Sequence, residues 1–70
     1  MQEWNTESHD AIYYSGHLVI TNKANNKCGI VRLNDINGRD ITLKQFRDGI
    51  KTHGIDKTIS VFAKLVPKWE

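Results

Sequence analysis

A single cysteine, Cys28, in a chain of 70 residues is the feature that most limits what this sequence can become. One thiol closes no internal disulfide, and no cysteine/histidine group has zinc-ligand spacing, so the usual braces of a very small domain are missing. A chain this short buries only about 60% of the surface that its unfolded form exposes. Its core must therefore be simple and built from apolar side chains, and any further burial must come from self-association or a partner.

The local patterns give an expected order of elements. Residues 1–10 are polar apart from Trp4 and read as an N-terminal arm, with residues 11–70 as one domain. Over residues 11–22 apolar positions alternate, which predicts a strand with Ile12, Tyr14, Leu18 and Ile20 on one face and Tyr13, Val19 and their neighbours on the other. Gly16 interrupts that strand and marks a candidate bulge. Residues 23–27 are a polar turn, and residues 28–35 form the returning strand of a hairpin. Asn37-Gly38 suits a tight type I′ turn, which leaves room for a third short strand at residues 39–41.

Thr42-Leu43-Lys44-Gln45 has capping-box spacing, and Ile41 with Phe46 fits a hydrophobic staple, so a helix begins here. Gly54 is placed to end it at C′, with Ile55 at C″ against Ile50 in a Schellman arrangement. Leu43, Phe46 and Ile50 make the stripe to be buried, and Gly49 either allows a close approach to the sheet or weakens the helix. Residues 58–66 alternate again and predict a final strand that Pro67 stops. The expected architecture is α+β, a three- to four-stranded antiparallel sheet with one helix packed on one face.

Candidate chemistry is sparse. Cys28 and His17 are the one thiol–imidazole pair near a common element, but a hairpin looped at residues 23–27 separates them by roughly 16 Å along the strands. Residues 35–40 resemble a calcium loop only superficially: its sixth position is Asp40 instead of glycine and its twelfth is Phe46 instead of glutamate. His9, His17 and His53 lack metal-ligand spacing, and the scattered glycines form no phosphate loop. The expectation is a protein without enzymatic activity, cofactor or metal. His53 falls where a protonated side chain favours the helix dipole.

Two binding readings remain. With one helix on one face, Tyr13, Val19, Phe62 and Val66 are expected on the other, and Trp4 and Trp69 near the termini either fold over that face or meet a partner. This makes a protein-interaction module, a small regulator or inhibitor binding another protein or itself as a homodimer. Small accessory proteins of phages and plasmids have this size and lack of motifs, so a mobile-element inhibitor is the expectation from base rates alone. The alternative is nucleic-acid binding through Lys23, Asn25 and Lys27 at the hairpin tip and Lys44, Arg47 and Lys51 on the helix.

Ten basic and eight acidic residues give a net charge of +2, too mild to announce a nucleic-acid binder and incompatible with a strongly acidic DNA mimic. No apolar run approaches the roughly 20 residues that span a bilayer. The opening Met1-Gln2-Glu3-Trp4-Asn5 lacks the basic flank and apolar stretch of a signal peptide. A cytoplasmic protein with no membrane association is expected.

Overall fold

A computed structural model describes residues 2–32 and 43–70. The chain runs through four strands, β1 (Gln2–Asn5), β2 (His9–Tyr14), β3 (His17–Asn22) and β4 (Lys27–Arg32), then two helices, α1 (Leu43–His53) and α2 (Ile55–Ala63). The strands form one antiparallel sheet in the order β1-β2-β3-β4. The α+β class and the antiparallel sheet match the sequence; several elements do not. The Asn37-Gly38 turn, the strand at residues 39–41, the Ile41 staple and the Thr42 capping hydroxyl lie outside the described residues.

The segment read as an N-terminal arm is part of the sheet. β1 pairs with β2 in the register Glu3↔Ile12 and Trp4↔Ala11. Its alternation is short but complete: Trp4 turns inward against Phe46, with ring centroids 4.8 Å apart at 77°, while Glu3 and Asn5 are exposed. Polar residues on an outer strand also discourage pairing with other chains.

The strand expected over residues 11–22 is two strands. Ser15 and Gly16 have φ of 50° and 79°, and Tyr14 lies opposite His17. Positive φ at both central residues is what a two-residue type I′ hairpin requires, so Gly16 is a turn residue and not a bulge. The next hairpin is close to expectation: Asn22 pairs with Lys27 and Thr21 with Cys28 across a four-residue loop, Asn26 taking φ of 57°. The strand that follows Cys28 is described as far as Arg32.

α1 carries the expected stripe, with Phe46 buried and Leu43 and Ile50 packed against the core. Gly54 ends it with φ of 89°, its N–H donating to the Ile50 carbonyl at 2.9 Å. With ψ of 160° Gly54 lies outside the left-handed helical region, so neither the simple left-handed cap nor the Schellman pair forms; Ile55 already begins α2, and the Thr58 N–H donates to the Gly54 carbonyl at 3.1 Å. One glycine thus closes one helix and opens the next.

The expected final strand is contradicted: most of residues 58–66 belong to α2. The stretch satisfies both periods, since its apolar residues fall at 59, 61, 63 and 65 and also at 55, 59, 62 and 66. A strand would send Ile59 and Phe62 to opposite faces, whereas a helix puts both on one side. Both are buried there, and Phe62 meets Phe46 edge-on with centroids 4.8 Å apart. Gly49 serves the contact between the helices, not an approach to the sheet: a Cβ built on it would lie 3.2 Å from both Cγ2 and Oγ1 of Thr58.

The core joins Ala11, Leu18, Ile20 and Val31 from the sheet to Phe46, Ile59 and Phe62 from the helices. Beyond α2 the chain returns along β4. Val66 lies over Gly29, and Cys28 and Glu70 exchange two backbone hydrogen bonds, each 2.8 Å.

Candidate functional site

The two-residue turn decides which side chains the sheet leaves outside. Because Tyr14 pairs with His17, Ile12 faces the same way as Val19, and Ala11 the same way as Ile20. Even-numbered residues of β2 therefore share a face with odd-numbered residues of β3, the reverse of what one continuous strand would give. The inner face holds Trp4, Ala11, Tyr13, Leu18, Ile20 and Val31, all in the core or packed on it.

On the outer face Glu3, Ile12, Val19 and Ile30 stand in register as a row across all four strands. Tyr14, His17 and Arg32 form a second row on one side of it; Asn5, Asp10, Thr21 and Cys28 form a third on the other. Ile30 is 51% exposed and Tyr14 60%, while Ile12 and Val19 are half-buried, and Val19 and Ile30 line a shallow hollow with Pro67, Lys68 and Glu70. Three aliphatic side chains side by side, flanked by a tyrosine and bordered by polar groups, make a compact apolar strip.

Of the six residues expected at a protein-binding surface, only Val19 lies on this face. Trp4 meets Phe46 edge-on, Phe62 is 7% exposed in the core, and Tyr13, Val66 and Trp69 pack against the core. The expected outward placement of Tyr13, Phe62 and Val66 fails for two reasons already given, the reversed parity across Ser15-Gly16 and the helical conformation of α2. The reversed parity by itself brings Ile12 and Tyr14 out to the surface. A glycine between two alternating runs was the signal that could have shown this, read as a turn.

The residues of the nucleic-acid alternative divide. At the hairpin tip the Lys23 ammonium donates to the Thr6 carbonyl and sits 3.4 Å from Asp10 Oδ1. Asn25 Oδ1 accepts from the Lys27 N–H at 3.0 Å, and Asn22 Oδ1 from the Ala24 N–H at 2.9 Å. The side chains of Lys23, Asn22 and Asn25 are thus engaged within the tip while Lys27 is exposed, and a contact between half-exposed Lys23 and Asp10 adds little stability. On α1, by contrast, Lys44, Arg47 and Lys51 are exposed on successive turns, with Asp48 beside them.

The thiol and imidazole remain apart, since Cys28 lies opposite Thr21 and His17 opposite Arg32. Thr21 Oγ1 is 3.3 Å from the Cys28 sulfur, and His17 Nδ1 is 3.0 Å from the Ser15 carbonyl. Among the described residues, no group of three His, Cys, Asp or Glu side chains is placed to hold a metal ion. Among the same residues, no helix is long and apolar enough to cross a membrane. Comparison with known proteins found no matching family model, curated protein or solved structure.

Proposed function

We propose that this chain is a non-enzymatic interaction module of the cytoplasm, a small regulator or inhibitor that binds protein through the outer face of its sheet. The supporting observation is the in-register Ile12–Val19–Ile30 row with exposed Tyr14 beside it, on the face opposite the one that packs with the helices. Residues that build a core are spent here on a surface, and burying them against a partner recovers roughly 25 cal/mol for each Å² of apolar area removed from water.

The test compares capture of partners by tagged wild-type protein with capture by Val19→Glu and Ile30→Glu. A carboxylate in the middle of an apolar contact leaves a charge buried and unpaired, so both variants should lose partners that the wild type retains while keeping its circular dichroism spectrum. Identical capture by all three proteins would remove the face from the account.

A second reading rests on the exposed cations of α1, through which Lys44, Arg47 and Lys51 contact the phosphates of a nucleic acid. It predicts affinity for duplex DNA that falls steeply with salt and is lost in the triple Lys44→Gln, Arg47→Gln, Lys51→Gln variant. Salt-independent or unaltered binding would exclude it.

A further inference from the structure

We infer that the pair of helices carries a docking surface of its own, a groove that takes an acidic helix of a partner protein. In that helix one large apolar residue is flanked by carboxylates three or four residues away on each side. The surface shares no residue with the outer face of the sheet, so the inference goes beyond the reading of that face and stands apart from it.

The groove begins at a missing side chain. Gly49 crosses Thr58 so closely that a Cβ on it would lie 3.2 Å from Thr58 Cγ2 and Oγ1. Beside this contact is a hollow of about 260 Å³, lined by Gly49 and His53 of α1 and by Lys57, Thr58, Val61 and Phe62 of α2. Val61 is 53% exposed and Leu65, four residues on, 44%. With Tyr14 and Ile30 on the sheet, these are the large apolar side chains that the described residues leave outside. The hollow is smaller than the roughly 300–1,000 Å³ of small-molecule sites and suits one side chain of leucine or phenylalanine size. A bilayer takes up apolar residues that protrude into it, and a recess stays unfilled against it.

The charges around the hollow are of one sign. Lys57 lines it, and Lys64, still helical with φ of −71° and ψ of −17°, stands two turns further along the same face as Lys57 and Val61. The two lysines are attached about 10 Å apart along the axis, with Val61 between them. Asp48 and Asp56 adjoin Gly49 and Lys57 in sequence but stand about 100° round their helices, and among the described residues no acidic side chain lines the hollow. Lys44, Arg47 and Lys51 lie about 140–160° round α1 from Gly49, so the cations of the nucleic-acid reading belong to another surface.

This spacing selects the shape of the partner as well as its charge. Helical residues three or four positions to either side of an anchor share its face and span about 10 Å, the arrangement of Lys57, Val61 and Lys64 repeated in the partner. In an extended segment, residues about 10 Å apart are three positions apart and point to opposite sides. An apolar helix face laid in a groove is a common mode of peptide recognition. Phosphates, which meet cations and hydrogen-bond donors, would leave Val61 and the hollow uncovered.

Amide NMR titration of the labelled protein with three peptides of about 16 residues, long enough for helix formation, is the test. The first is a helix of alanine and glutamine with a central phenylalanine and glutamates three and four residues to either side. The second has lysines for the glutamates, and the third has alanine for the phenylalanine. Up to about 1 mM, which reaches weak association, the first should shift the amides of Gly49, His53, Thr58 and Val61 and leave those of Ile12, Val19 and Ile30 in place. The other two should bind about tenfold more weakly or less. In the double variant Lys57→Glu, Lys64→Glu the preference should reverse, the lysine peptide binding more tightly than the glutamate peptide, a gain that misfolding cannot produce.

Equal binding of the glutamate and lysine peptides, no loss on removing the phenylalanine, shifts confined to other surfaces, or no shift at about 1 mM would each overturn the acidic helix. Phosphatidylserine vesicles or duplex DNA that bind the wild type and not the double variant, where no peptide binds, would give the surface to lipid or nucleic acid and overturn it as well. None of these outcomes bears on Val19→Glu and Ile30→Glu, which judge the sheet face separately.

Discussion

Replacing Gly29 by alanine should destabilise this protein, although alanine is ordinarily the better residue in a strand interior. A Cβ on Gly29 would lie 2.2 Å from Val66 Cγ1, 3.0 Å from Cγ2 and 3.1 Å from Cβ. Ordinary carbon–carbon contact is about 3.5–4.0 Å, so Val66 must retreat by about 1.5 Å. Val66 donates its N–H to the carbonyl of Ala63, the last residue of α2, and precedes the Cys28–Glu70 hydrogen bonds, so its retreat disturbs both. Overpacking of this kind costs about 1–3 kcal/mol. The lost flexibility of the unfolded chain returns about 0.4–1 kcal/mol. The net expectation is a loss of about 1–2 kcal/mol, and a domain of this size loses about 4–8 °C of melting temperature for each.

The partner substitution isolates the cause. Val66→Ala removes two methyl groups from a half-buried site and should cost about 1 kcal/mol by itself. In that background the nearest obstruction to the Gly29 Cβ is the residue-66 Cβ at 3.1 Å, which a small shift accommodates. Gly29→Ala should then be nearly neutral, giving a coupling of about 1–2 kcal/mol between the two positions. Urea titration followed by the fluorescence of Trp4 and Trp69 measures all four proteins, with unchanged m-values confirming that only stability has moved. Additive effects, or a stabilising Gly29→Ala in the wild-type background, would refute the reasoning.

Among the described residues, Thr58 Oγ1 is buried without a hydrogen-bond partner. Thr58→Val keeps the shape and removes an unsatisfied group, so it should raise stability by about 1 kcal/mol in the same titration; a loss of that size would mean that the hydroxyl is satisfied. Gly54 has φ of 89° and, among the described residues, nothing within 4 Å of a built Cβ, so Gly54→Ala should cost about 1–2 kcal/mol through backbone strain alone, read as a lower melting temperature. Phe46 is fully buried between Trp4 and Phe62, and Phe46→Ala should cost about 3–5 kcal/mol, enough to abolish cooperative thermal unfolding.

The candidate surface was only partly legible in the sequence. That the sheet has more apolar residues than one covered face can use was readable, because it depends only on their number and alternation. Which of them are left outside was not. Val19 was correctly placed, but Ile12 and Tyr14 exchanged sides with Tyr13, and Phe62, Val66 and both tryptophans proved to be core or its lining.

By itself the sequence determined the features whose physical causes are local. These are the hairpin around residues 23–26, the α1 stripe of Leu43, Phe46 and Ile50, and the helix end at Gly54. Turn chemistry, helical spacing and a glycine's freedom at positive φ act within a few residues, so a few residues suffice to read them. Tertiary structure decided the rest. Face parity across Ser15-Gly16 depends on the number of residues in the turn, and one residue more or fewer inverts an entire strand. The conformation of residues 58–66 depends on whether Ile59 and Phe62 reach Phe46 together. The pairing of β1 depends on an available strand edge and a place for Trp4 beside that same ring. Each choice is settled by contacts between segments distant in the chain, and Phe46 is the side chain on which two of them meet.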